Sequence, residues 1–206
     1  NCAFSGNVAS IGAAIRNYSS KARLINCTIA GNIANERAGS VDDEDSSSAT
    51  TLTSCILWGN NAPTYPEIFS SNAVVSYSDV EHGYSGARAI DPLFFRNPSP
   101  GADGQWGTAD DDFGDLSLQP CSPVADAGNG SAVPSGITTD LAGNSRFQDI
   151  PTTINSGGVP VDMGAYEAVP SLFVSAGGTY SIAQGKSITL IAHGARDVAG
   201  SLQYAW

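Results

Sequence analysis

One phrase returns three times in this chain: Asn1-Cys2-Ala3-Phe4-Ser5-Gly6-Asn7, Asn26-Cys27-Thr28-Ile29-Ala30-Gly31-Asn32 and Ser54-Cys55-Ile56-Leu57-Trp58-Gly59-Asn60. Its cysteines stand at positions 2, 27 and 55, so the repeat is 25 and then 28 residues long. A period in the twenties is the mark of a solenoid that lays down one coil per repeat. Between the matches lie short apolar runs such as Gly12-Ala13-Ala14-Ile15, bounded by Asn, Ser or Gly and too broken for helices. The expected fold is therefore all-β, a right-handed parallel β-helix with equivalent residues of successive coils stacked about 4.8 Å apart. Cys, Ile, Leu and Val fill the interior columns. Asn at the corners can accept left-handed backbone angles and bond to its own copies above and below. A fourth coil is expected at Ala73–Val80, with Ser78 in the place of the cysteine.

The stacked Cys2, Cys27 and Cys55 read first as small apolar filling of one interior column. A disulfide between neighbouring coils or a metal site is the alternative, but no Cys-x-x-Cys pair occurs, so zinc has essentially no support. Cys121, beside Ser122-Pro123, reads as a packing residue. The run Val41-Asp42-Asp43-Glu44-Asp45-Ser46-Ser47-Ser48 interrupts the second coil and is expected to be a solvated loop.

Charge narrows the partners. With 20 Asp and Glu against 9 Lys and Arg, the formal net charge is −11. That balance argues against nucleic acid or anionic membranes, both of which need clustered basic residues. No run approaches the ~20 apolar residues of a membrane-spanning helix. Lys21 and Lys186 are the only lysines, and Gly, Ser, Thr and Asn abound, as suits a secreted bacterial surface protein. Asn1 opens inside the repeat and Trp206 stops within an apparent strand, so the chain reads as an excerpt of a longer polypeptide.

After the coils the pattern changes to irregular loops between strands, from Ile90-Asp91-Pro92-Leu93-Phe94 through Ser122-Pro123-Val124-Ala125-Asp126-Ala127-Gly128 to Val161-Asp162-Met163-Gly164-Ala165-Tyr166-Glu167. Together with Tyr77-Ser78-Asp79-Val80-Glu81, Gly107-Thr108-Ala109-Asp110-Asp111-Asp112-Phe113-Gly114-Asp115-Leu116 and Asp140-Leu141-Ala142-Gly143-Asn144, this order resembles the choice-of-anchor Q domain. That domain is the C-terminal part of many bacterial extracellular proteins with pectate-lyase-like β-helices. The resemblance covers roughly residues 26 to 168 and implies a secreted, surface-displayed protein without implying an enzymatic activity. Cys121 departs from it, since such sequences often carry Gly or another small residue there. From Ser171 onward, Phe173–Tyr180 and Gly185–Ala192 alternate as sandwich strands do, and with Leu202–Trp206 they resemble the opening half of a PKD-type immunoglobulin-like domain. The expected division is 1–168 for the β-helix with its irregular C-terminal loops and 169–206 for a partial β-sandwich, too short to close a two-sheet core.

The candidate site is the Asp-rich loop Gly101–Asp115. Asp103, Asp110, Asp111, Asp112 and Asp115 are carboxylates separated by glycines that repel one another unless a cation or solvent intervenes. Ca²⁺ takes six to eight oxygens in a flexible arrangement that such a loop can wrap, although the spacing is not that of an EF-hand. A plain acidic turn is the competing reading. Catalytic chemistry finds little support. The coils offer Arg16, Lys21, Arg23 and Arg37 as bases, none repeated on one face with acids. His82 reads as a loop residue and His193 as structural, while Asp79, Glu81 and Asp91 could converge on one coil. Asn17, Asn26 and Asn129 match the glycosylation pattern at a frequency close to chance. Trp58, Trp106 and Tyr65 would offer sugar-stacking faces if exposed.

The expected function is a non-catalytic extracellular or cell-surface module, structural or adhesive, meeting surface polysaccharide or other copies of itself. A subunit of an extracellular filament or surface layer, joined through β-helix ends or strand exchange, is the second expectation. An accessory part of a carbohydrate-active enzyme is the third.

Overall fold

The structure is a computed structural model that describes residues 1–119, 121–150, 153, 155–169, 172–175 and 193–196. The first turn carries β1 (Cys2–Ser5), β2 (Val8–Ile11), β3 (Ile15–Asn17) and β4 (Lys21–Ile25). The second carries β5 (Cys27–Ala30), β6 (Ile33–Arg37), β7 (Val41–Asp43) and β8 (Ala49–Thr53). The third has β9 (Ile56–Trp58), β10 (Ile68–Phe69) and β11 (Val74–Ser76), followed by β12 (Ser78–Val80) and the short β13 (Ala87–Arg88). All of these pair in parallel with their counterparts one turn away, in sheets ordered β1-β5-β9-β12-β13, β2-β6, β10-β7-β3 and β11-β8-β4. The chain is thus an all-β solenoid of about 3 turns.

Register follows the repeat. Cys2 pairs with Cys27, and Thr28 with Ile56, which sets Cys27 over Cys55. Asp79 pairs with Ile56, so Ser78 falls in the cysteine column, where its hydroxyl accepts the Cys55 backbone N–H at 3.0 Å. All four cysteines are free thiols, and Cys27 and Cys55 are buried among Leu24, Ile29, Val41, Leu52, Leu57, Ile68, Val75 and Val80. The two corner tasks of asparagine are split between two columns. Asn26, Ser54 and Tyr77, each one residue before the cysteine column, take the left-handed conformation at φ 49°, 54° and 48°. The asparagine after the glycine makes the ladder: Asn7 Nδ2 donates to Asn32 Oδ1 at 2.8 Å, and Asn32 Nδ2 to Asn60 Oδ1 at 2.8 Å.

The acidic run at 41–48 is a solvated loop only in its second half, where residues 44–47 form a surface turn. Val41, Asp42 and Asp43 form β7 and are buried. Asp42 pairs with Arg37 at 2.6 Å. Asp43 accepts from Asn17 Nδ2, from the Thr50 amide and hydroxyl, and from Ser70 Oγ. Burial would raise its pKa, but these donors hold it below the usual carboxylate value. Local charge density misleads here because the partners come from other coils.

Residues after 90 turn back onto the solenoid. β14 (Phe94–Arg96) and β15 (Asp115–Leu118) form an antiparallel pair, and a short 3₁₀ turn at Gly130–Ala132 follows. Alternation along β5 and β9 sends Thr28, Ala30, Ile56 and Trp58 outward, and the returning segment covers them. Phe94, Leu116, Leu118, Val124, Ala127, Ile150 and Met163 build a second apolar core there with Ala30 and Ile56. Each such side chain removed from water contributes about 1.5–3 kcal/mol.

β16 (Leu172–Ser175) and β17 (His193–Arg196) pair antiparallel. The rest of the partial sandwich expected over 169–206 lies outside the described residues, as does most of the PKD resemblance.

Candidate functional site

The seal on the outer sheet is polar at its centre. Arg146 is fully buried, its Nη2 2.5 Å from Glu167 Oε1 and 3.1 Å from the carbonyls of Asp162 and Gly164. Asp162, also buried, accepts the backbone N–H groups of Asp126 and Ala168. Asp140 accepts the N–H groups of Ala142, Asn144 and Glu167. The assembly is tied to the coils by Ala165 N–H to Thr28 Oγ1 at 2.9 Å, Gly164 N–H to the Ser54 carbonyl at 2.8 Å and Asn26 Nδ2 to the Asp162 carbonyl at 3.0 Å. Gly164 has φ +85°, and a Cβ there would lie 2.6 Å from Thr28 Oγ1 and 2.8 Å from Ile56 Cδ1. The phrase Val161–Glu167 is therefore a docking device with its charges turned inward.

The carboxylates singled out in the Asp-rich loop each accept hydrogen bonds, from the loop itself or from residues beside it. Asp110 accepts the Ala102 N–H at 2.7 Å and the Thr108 hydroxyl at 2.7 Å. Asp111 accepts the N–H groups of Gly107 and Thr108. Asp103 accepts from Gln105 N and Asp115 from Ser117 N. Asp112 is held by the Arg96 guanidinium and by Gly114 N–H. Thr108 and the Arg96 guanidinium keep Asp110 and Asp112, respectively, below the usual carboxylate range. Trp106 stacks on Phe113 with centroids 5.6 Å apart, and the pair sits against Gly6.

A cleft of about 540 Å³ opens on another side of the solenoid, between β7 with the turn after it, the stretch Tyr65–Ser71 and the turn Glu81–Tyr84. Glu67 is only 4 % exposed. Its Oε2 accepts from Ser40 Oγ at 2.6 Å and Asn60 Nδ2 at 2.9 Å, while Oε1 has no partner among the described residues. It thus closes the asparagine ladder that begins at Asn7. Burial pushes Glu67 up to about 8, against the pull of those donors. Glu81 Oε2 accepts the Gly59 N–H at 2.5 Å, and His82 follows it at φ 66°. Among the described residues, Glu67, Glu81 and His82 form the group of three metal-ligating side chains whose donor atoms all lie within 4.8 Å of one another. The five loop aspartates are not brought together in that way. In the sequence His82 reads as a loop residue and Glu67 carries no signal, because Glu67 stands outside the repeated phrases and meets Glu81 only once the coils are stacked.

Of the other named residues only Tyr65 lines the cleft. Asp79 is buried, accepts the Ile90 N–H at 3.0 Å and is pushed by burial up to about 6. Asp91 accepts from Leu93 N. Asn17 and Asn26 spend their buried amide nitrogens as hydrogen-bond donors, and Asn129 caps the 3₁₀ turn. Trp58 is half-buried against the outer core, and Trp106 is half-buried beneath its loop. Tyr65 is exposed and meets Phe69 edge-on with centroids 5.1 Å apart.

No protein-family model, curated protein or solved structure matches the chain.

Proposed function

We propose that the chain is a non-catalytic, rigid module of a secreted bacterial surface protein, structural or adhesive in role, of the choice-of-anchor Q type. The observation that carries this reading is the covered outer face of the main sheet. A solenoid that acts on a polymer along its main sheet needs that face open, with acid and base groups on it. Here Thr28, Ala30, Ile56 and Trp58 lie under the returning segment, and Arg146, Asp162 and Glu167 are turned inward to hold that segment down. A composition poor in Lys and rich in Gly, Ser, Thr and Asn supports an extracellular setting, and the excess of acidic groups disfavours nucleic acid as partner.

Incubation with acidic polysaccharides such as pectate or alginate, followed by reducing-end and unsaturated-product assays, is expected to give no depolymerisation. Turnover by this chain would replace the reading with a carbohydrate-active one. The Asp-rich loop enters the same reading as a Ca²⁺ site proposed from its sequence, in which the ion would draw Asp103, Asp110, Asp111, Asp112 and Asp115 together out of their present contacts. Excess Ca²⁺ is expected to raise the melting temperature and change Trp106 fluorescence; identical melts with Ca²⁺ and with chelator would remove calcium from the account.

A further inference from the structure

We propose that Glu67, Glu81 and His82 form a binding site for one divalent transition-metal cation of the Zn²⁺ class at the floor of the open cleft. This site is separate from the Asp-rich loop and does not depend on the module's proposed role. Three observations converge on it. The first is spatial: one donor atom from each side chain lies within 4.8 Å of the other two. Metal–ligand bonds of about 2.0–2.2 Å place such atoms about 3–3.5 Å apart, within reach of small side-chain rotations. The second is the buried Glu67 Oε1, a carboxylate oxygen lining the cleft with no hydrogen-bond donor. A buried carboxyl oxygen left without a hydrogen-bond partner is costly, and coordination to a cation relieves it. The third is the support behind it. Ser40 and Asn60 hold Oε2, and Asn60 is itself held by Asn32, so Oε1 is aimed by the stacked coils. Such outer partners orient metal ligands and raise affinity.

The surroundings favour a cation. Asp43, Glu44 and Asp45 also line the cleft, and among the described residues no Lys or Arg does. Glu81 keeps one oxygen free of the Gly59 contact, and His82 is exposed, so water can complete the coordination. An imidazole nitrogen with two carboxylates suits Zn²⁺, Co²⁺, Ni²⁺ or Mn²⁺, whereas Ca²⁺ prefers six to eight oxygens.

The test uses the whole chain, first stripped with chelator. Zn²⁺ is titrated by calorimetry and Co²⁺ by its visible absorption bands. One saturable equivalent is expected, with imidazole in the Co²⁺ spectrum. Glu67→Gln and His82→Asn, the latter chosen because asparagine tolerates the positive φ, are expected to weaken binding by more than about tenfold, and Ser40→Ala by about tenfold. Cys2→Ser with Cys121→Ser, and Asp110→Asn with Asp111→Asn, are expected to leave that equivalent unchanged. Absence of a saturable site would overturn the proposal. Binding that survives His82→Asn, or that disappears with the exposed thiols or the loop aspartates, would overturn it equally.

Discussion

Gly31 answers two demands at once. Its φ of +69° is left-handed, and a Cβ on it would lie 2.6 Å from Pro98 Cβ, where the returning loop crosses the coil. Gly59, one coil on, has φ +67°, yet the nearest atom to its Cβ would be 3.9 Å away. The repeat makes the two look equivalent, while the packing separates them. Gly59→Ala is expected to cost about 1–2 kcal/mol, the price of a left-handed alanine. Gly31→Ala should cost a further 1–3 kcal/mol or so from the forced shift of Pro98. Urea unfolding of both variants checks this, and equal losses would mean that the loop does not seat on Gly31. The same scale shows what a sequence hides. Gly-Asn announces the turn, but nothing in the phrase tells that Asn7, Asn32 and Asn60 form a hydrogen-bonded ladder ending on Glu67.

At the scale of elements, the coils were legible because stacking forces one residue class into one column, and periodicity survives without any partner being known. Ser78 could be placed under Cys55 from spacing alone. Strand β7 could not, because Asp42 and Asp43 look solvated until Arg37, Asn17, Thr50 and Ser70 are brought beside them. The phrase Val161–Glu167 was legible as a resemblance but not as a contact, since its partners Arg146, Asn26 and Thr28 lie 16 to 137 residues away and the phrase itself stands outside the repeat. Its electrostatics give a prediction of their own. One buried arginine can neutralise only one of two buried carboxylates, so the Asp162–Glu167 pair retains a proton in the folded state. Burial pushes Asp162 up to about 7 and Glu167 up to about 9, each raised further by neighbouring carboxylates and lowered by Arg146. Unfolded, both titrate near 4. Folded values above unfolded ones mean a contribution fully present below about pH 4 and lost as the pH rises through 7 toward 9. Urea midpoints should therefore be lower at pH 8 than at pH 5, and Glu167→Gln should flatten that slope. A variant with the wild-type slope would place the titrating groups elsewhere.

For the whole molecule, two layers of burial share one sheet. The inner faces of β5 and β9 close the solenoid, and their outer faces carry the segment that returns from residue 90 onward. That second layer is what distinguishes a sealed module from an open groove, and the proposed function rests on it. It leaves the Glu67 cleft, on a different side of the coil, as a polar opening whose floor is set by stacked side chains. Sequence alone anticipated the stack and not the seal, because the seal depends on contacts between a periodic half and an aperiodic one. Hydrogen exchange read by mass spectrometry tests the seal directly. Amides of Gly164, Ala165 and Ala168 are expected to exchange with the protection of Thr28–Ala30 and to open with them in one cooperative step. Exchange of Gly164–Ala168 within seconds, while Thr28–Ala30 stay protected, would show a detached segment and an exposed outer sheet, and would contradict the account.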